Sequence, residues 1–319
     1  MFSLRVTMIL GVFASIVLFA RWAVATPLVG ETLRFEQLPL NGGLAPSTGG
    51  INYAGHAELS TATPAQFIGY SGTYMGDDFS LTTSDPVAHV EWWGSYLDVG
   101  NGSGVQQFLL SFETDVAATQ TVPSHPGTPV ISQILNKGVI SSGSGTFTET
   151  AIPSASGQLY HYSAELEIPM LQLANQVYWL KIVALVPNNG NDTIQWGWQN
   201  RDYTLQDTLA SNVPSPGEQQ VANGLDLTLW HFQDDAVSGG ITLFQVPQTS
   251  LAAVQQQGFT PQNYVDTLDG PVGINAFSKD MAFRLYTIQV SAPEPGTLVL
   301  LGMGGVALVI VARRRRRGK

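Results

Sequence analysis

The chain has 319 residues, 12% of them charged, and no cysteine. That length supplies one large domain or two small ones with a sizeable core, while the missing thiols exclude disulfides, thiolate zinc sites and a cysteine nucleophile. Eight of the 14 lysines and arginines sit in the terminal segments, so the interior from Thr26 to Ala292 holds six against 23 acidic residues; this formal −17 repels nucleic acid and favours solubility.

Residues 1–25 read as a signal peptide. Arg5 marks the charged start, "VTMILGVFASIVLFA" is the apolar centre, and Ala23 and Ala25 are the small residues that a cut before Thr26 needs at −3 and −1. The segment implies passage through the Sec translocon. Fifteen apolar residues fall short of the ~20 of a spanning helix. Cleavage is therefore expected in preference to retention as an anchor, despite Arg21 before the cut.

Residues 26–71 are glycine-rich and read as an N-terminal arm or as extra strands of the domain that follows, 72–290. That domain reads as strands and turns. "VQQFLLSFETD" puts Phe108, Leu110 and Phe112 on one face at period two. In "YHYSAELEI" the set Tyr160, Tyr162, Ala164, Leu166 and Ile168 does the same, with Glu165 and Glu167 opposite. "VYWLKIVALV" is apolar on both faces except at Lys181, the mark of a central strand. "MAFRLYTIQV" predicts a last strand, and "NGSG", "PSHPGTP", "SSGSG", "PNNGND" and "PSPGE" predict turns. "SLAAVQQQGF", closed by Gly258, is the one candidate helix. The expected fold is all-β: an antiparallel, jelly-roll-like β-sandwich.

Two constellations stand out. Trp92, Trp93, Trp196 and Trp198 are candidate carbohydrate-binding residues, because sugar rings lay apolar faces on aromatic platforms and Glu91, Gln195, Gln199 and Asn200 could bond hydroxyls. Core packing is the competing reading: alternation sends Trp92 and Trp93 to opposite faces and Trp196 and Trp198 to the same one. Asp77 and Asp78, with Asp234 and Asp235, and with Asp202 and Asp207, are candidate Ca²⁺ ligands in oxygen-rich loops; turn capping is the alternative. No other cofactor is implied.

Catalysis finds little support. His56, His89, His125, His161 and His231 are scattered without a zinc pattern, and no G-x-S-x-G elbow occurs. Glu165 and Glu167, about 7 Å apart along a strand, could serve a glycosidase but read better as solvent-facing decoration. No catalytic residue is assigned, and the chain is expected not to be an enzyme.

Residues 291–319 close the sequence with Pro293, Glu294 and Pro295, an uncharged run from Thr297 to Ala312, and the arginines Arg313, Arg314, Arg315, Arg316 and Arg317. As a helix, 297–312 covers about 24 Å of a ~30 Å hydrocarbon core, with arginine stems extending its reach. The basic cluster holds its own side in the cytoplasm, so the domain lies outside. In composition and order this tail resembles the PEP-CTERM sorting signal of Gram-negative envelope proteins. The resemblance implies recognition by the membrane-embedded exosortase, removal of the tail near Pro293–Pro295, and association with exopolysaccharide and biofilm matrix. An ordinary tail anchor is the alternative.

Within the body, "DDFSL", "VEWWGSY", "FLLSFETD", "YWLKIVA", "WGWQNR" and "MAFRLYT" resemble a β-sandwich module common in PEP-CTERM proteins, which implies architecture and location but no activity. The expectation is an exported protein held in the inner membrane with its domain outside, then sorted to the cell surface or extracellular matrix. Its role there is structural or adhesive and linked to exopolysaccharide, with a lectin-like module and a glycan hydrolase as the alternatives.

Overall fold

Fifteen strands and no helix form among the residues that the computed structural model describes: 30–39, 57–66, 69–98, 104–117, 124–138, 145–154, 157–187, 194–201, 236–245, 252–258, 260–261 and 280–289. In chain order they are β1 (Glu31–Gln37), β2 (Ala57–Leu59), β3 (Thr61–Pro64), β4 (Tyr70–Ser80), β5 (Val87–Asp98), β6 (Gln107–Val116), β7 (His125–Lys137) and β8 (Thr146–Ser154). Then follow β9 (Gly157–Met170), β10 (Val177–Leu185), β11 (Gln195–Gln199), β12 (Val237–Gln245), β13 (Ala252–Gln256), β14 (Thr260–Pro261) and β15 (Phe283–Ile288).

The strands form one mixed sheet in the order β1-β15-β5-β9-β8-β7-β6-β10-β3-β4-β12-β13, which folds back on itself as a sandwich-like arrangement. Rings from distant strands meet across the fold. Phe35 of β1 lies edge-on to Phe79 of β4 at 6.1 Å, and Trp92 of β5 lies edge-on to Phe108 of β6 at 5.2 Å. Period-two alternation supplies both sides: Phe108, Leu110 and Phe112 point into the main core, as do Tyr162, Ala164 and Leu166 from β9. Ile168, expected on that same face, is instead exposed. The β5–β9 ladder slips between Val87 and His89, and the end of β9 leaves the strict alternation there.

Two corners join the layers, and both depart from the purely antiparallel expectation. At one, β7 pairs with β8 in parallel through Asn136 and Lys137. At the other, β2 pairs with β11 and β3 pairs in parallel with β10, with only Ser60 between them. Ser60 is fully buried and all its polar groups are used. Its N–H donates to Trp196 O at 3.1 Å and its C=O accepts from Ala184 N at 2.9 Å. Its hydroxyl donates to Ile182 O at 2.5 Å and accepts from Met75 N at 2.9 Å. The path β5-β9-β8-β7-β6-β10-β3, then across Ser60 to β2-β11 and back to β5, is thus a closed ring around the aromatic core. Closure removes free edges at both corners.

The segment 26–71 contributes β1, β2 and β3, all paired within this sheet. The candidate helix at residues 250–259 is a strand where it is described: β13 pairs along β12 from Ala252 to Gln256. A short apolar run is settled by its long-range ladder rather than by its own periodicity. β12 lies beside the first half of β4, and β13 comes against β7, so a second apolar cluster of Tyr74, Leu109, Ile134, Trp179, Val183 and Ile241 fills the opposite face of β10 and β6.

Candidate functional site

The four tryptophans are not a surface platform: Trp92, Trp196 and Trp198 are fully buried and Trp93 is 3% exposed. Trp92 stacks on Tyr162 at 5.3 Å, and Trp196 donates its indole N–H to the Tyr162 hydroxyl at 3.0 Å. Trp198 donates to Ala282 O at 2.9 Å. Trp92 and Trp93 do face opposite ways, but Trp93 is covered too, by Leu159 and Ala282. The rings of Trp92, Trp196 and Trp198 are all fully enclosed by neighbours, so none of them is open to a sugar. Of the amides and acid named beside them, Glu91, Gln199 and Asn200 are buried and only Gln195 is exposed.

Asp77 and Asp78 are buried on β4, where successive side chains point to opposite faces. Asp77 accepts from Asp78 N through Oδ1 at 2.9 Å and from Met281 N through Oδ2 at 2.8 Å. Its oxygens bind backbone, and the two side chains do not share one shell. Among the described residues no group of three or more His, Cys, Asp and Glu is gathered as a metal would need. Asp202, Asp207, Asp234, Asp235, His56 and His231 lie outside the described residues, as do Ala23, Ala25, Pro293, Glu294, Pro295 and Arg313 to Arg317. The apolar run 297–312 does as well, and among the described residues no helix is long and apolar enough to cross a membrane.

The structure instead assembles two buried polar clusters. The first lies on the face of β5 that turns away from the main core. There Arg284 of β15 reaches Glu36 of β1 at 2.5 Å through Nε and Glu91 of β5 at 3.2 Å through Nη1. The Tyr286 hydroxyl donates to Glu91 Oε2 at 3.0 Å, and His161 Nε2 stands 3.5 Å from the same oxygen. His89 bridges Glu31 at 3.0 Å and Ser163 at 2.8 Å, and stacks on Tyr286 at 4.8 Å. The guanidinium lies 5.3 Å from the Trp93 ring centroid.

Burial pushes the Glu91 carboxyl upward, but His161, Arg284 and His89 outweigh it and hold its pKa below the ordinary value. Burial and the neighbouring Glu91 push the Tyr286 hydroxyl upward, which keeps it a donor. Polar and charged groups from β1, β5, β9 and β15 are thus tied into one brace across four adjacent strands.

The second cluster lies between β10 and the β12–β13 pair. Lys181, fully buried, sits 2.8 Å from Glu113 Oε2, donates to Gln256 Oε1 at 2.6 Å, and lies 4.1 Å from the Tyr74 ring centroid. Ser111 donates to Glu113 at 3.2 Å and shares a 2.8 Å hydrogen bond with Ser132. Burial pushes Glu113 up and Lys181 down, each toward its neutral form, while their mutual attraction opposes both moves. Asp115 nearby accepts from Ser124 at 2.5 Å and from the Trp179 indole at 2.9 Å, and burial raises its pKa as well. The sequence signal for this cluster was one lysine in an otherwise apolar strand. The Glu91–Arg284 brace joins residues 193 positions apart and left no local signal.

In both clusters the charged groups bond one another inside the protein. Glu165 and Glu167 are exposed on β9, outside both. The geometry defines an all-β, sandwich-like domain held by aromatic packing and buried ion pairs. The chain belongs to the family described as Domain of unknown function (DUF7901), whose model matches residues 34–286. That match begins inside β1 and ends inside β15, which pair with each other. A PEP-CTERM protein-sorting motif follows at residues 291–317. It makes this a secreted, C-terminally anchored protein that exosortase processes. No curated protein and no solved structure matches the chain.

Proposed function

We propose that this is a component of the cell envelope or extracellular matrix with a structural or adhesive, non-enzymatic role linked to exopolysaccharide. It is exported behind the cleaved segment 1–25, held at the inner membrane by residues 297–312, and delivered to the surface or matrix once the tail is cut. The observation that carries the reading is the sorting motif at 291–317 placed directly behind the ladder of β1 and β15. The internal use of the polar clusters supports a scaffold role, since their charges hold strands together.

Mass spectrometry of both termini of the mature protein tests the export route: the expected product begins at Thr26 and lacks the arginine cluster. An intact C-terminus in purified envelope would reject processing. A glycan array with the mature protein tests the adhesive part, and saturable binding to one defined sugar would favour the lectin-like alternative. Such a site would have to use residues other than Trp92, Trp196 and Trp198. Hydrolysis of an exopolysaccharide that is lost in Glu165→Gln would establish the hydrolase instead.

A further inference from the structure

The last strand delivers the chain to its tail at a particular pole of the domain. Ile288 pairs with Glu31 and donates its N–H to Pro86 O at 3.1 Å; one residue earlier Thr287 pairs with Val87, and Val87 pairs with Met170. Met170 ends β9 and begins the connection to β10. The exit of the tail and the β9–β10 connection therefore share one pole.

That connection shows its leucines outward. Leu171 is 72% exposed and Leu173 63%, the two highest values among the exposed large apolar side chains of the described residues, and Ile168 beside them is 42% exposed. Between the leucines, Gln172 is buried and donates through Nε2 to Thr83 O and to Asp85 O. The rest of the connection is also held. Leu173 N donates to the Tyr178 hydroxyl at 3.2 Å, Ala174 N to Ser84 Oγ at 3.1 Å, and Asn175 N to Leu81 O at 2.6 Å. Asn175 takes φ +58°, a left-handed turn that asparagine tolerates. The loop is fixed with its polar side chain inside and its apolar ones in solvent, the reverse of what solubility favours.

The length of the tail says what those leucines meet. Eight residues, 289–296, separate Ile288 from the apolar run at Thr297, a reach of at most about 30 Å. Held by that run, the pole cannot leave the vicinity of the bilayer, and a tether turns a weak contact into a populated one. We propose that Leu171 and Leu173 dip into the bilayer interface while the tail is uncut, so that the domain stands on the membrane by this pole and presents residues 289–296 at the lipid surface. The proposal rests on the tail reading. The acidic interior disfavours anionic lipid, so the occupant is a zwitterionic surface entered through apolar contact.

The absence of cysteine allows clean single-site labelling. The full chain is reconstituted in phosphatidylcholine vesicles with an environment-sensitive fluorophore at Leu171→Cys, Leu173→Cys, Leu301→Cys in the apolar run, or Gln106→Cys. Gln106 is exposed and precedes Gln107, which pairs with Leu185 at the far end of β10. The expected result is blue-shifted emission and several-fold stronger quenching by nitroxide lipid at 171 and 173 than at 106, lost once protease releases the domain. Quenching at 301 with 171 and 173 matching 106 overturns the contact. No quenching at 301 overturns the tail reading beneath it. A blue shift at 171 and 173 that nitroxide lipid does not quench overturns the lipid assignment in favour of a protein surface.

Discussion

Glu31 and Ile288 are partners in one ladder, so the first and last strands of the domain lie side by side and bring residues 31 and 288 to the same pole. Phe35 makes the pairing a packing feature as well, stacked on Phe283 at 4.7 Å and edge-on to Phe79. Phe35→Ala is expected to cost about 3–5 kcal/mol. Chemical denaturation of the variant checks this, and a loss below about 1 kcal/mol would mean that β1 is dispensable to the core.

Ser60 satisfies four polar groups at the corner between the layers. Ser60→Ala removes the hydroxyl and leaves Met75 N and Ile182 O without it, an expected loss of about 1–3 kcal/mol. Thermal and denaturant melts read the change. Unchanged stability would show that the corner closes without the side chain.

Lys181 and Glu113 form a pair that neither residue can leave cheaply. Lys181→Met alone is expected to cost about 3–5 kcal/mol, because Glu113 is then buried without its partner. Adding Glu113→Leu should recover most of that loss. A double-mutant cycle measures the coupling, and additive single effects would contradict it.

Gly94, which follows Trp92 and Trp93, is set by contact with the next strand. A Cβ there would lie 2.3 Å from Cζ2 of Trp196. Gly94→Ala therefore forces the indole aside, with an expected loss of about 1–3 kcal/mol and a shift in tryptophan emission as the Trp196–Tyr162 hydrogen bond is disturbed. Emission identical to that of the unaltered protein would refute the contact.

The acid response separates the two clusters. Glu91 is held below the ordinary carboxyl value of 4.5, so its contribution to stability is full above that pH and is lost as pH falls through the folded value. Glu113 and Asp115 are raised by burial, so they act in the opposite sense: the folded chain holds their protons more tightly, and the penalty of ionising them eases as pH falls through their folded values. Glu91→Gln should lower stability at pH 7 and flatten its decline below 4.5. Denaturation midpoints across pH 3–7 test this, and parallel curves would show that Glu91 does not govern the acid limb.

Much of the strand pattern was legible in residues. Phe108, Leu110 and Phe112, the Tyr162–Leu166 set, and the two-sided apolar run around Lys181 lie where period two puts them. Alternation also separated Trp92 from Trp93 correctly. It could not show that both faces of β5 are covered, because the cover on Trp93 comes from Leu159 on β9 and from Ala282 just before β15. For the same reason the buried clusters were hidden: Arg284 finds Glu91 and Glu36 only through the β1-β15-β5 order. The parallel joins at β7–β8 and β3–β10 are short and carry no signature of their own. The tail was the clearest part, since proline, apolar run and arginines act in sequence order and need no tertiary partner.

The position of β15 between β1 and β5 has a mechanical consequence. A pull on the anchored end acts on Ile288 along the strand axis, so hydrogen bonds on both flanks bear the load together in shear and are not unzipped one at a time. A domain tugged from its membrane side would thus be loaded at a strand paired on both sides. Optical-tweezer stretching should register a higher rupture force through residue 288 than through exposed Gln255 on β13, whose one ladder among the described residues is with β12.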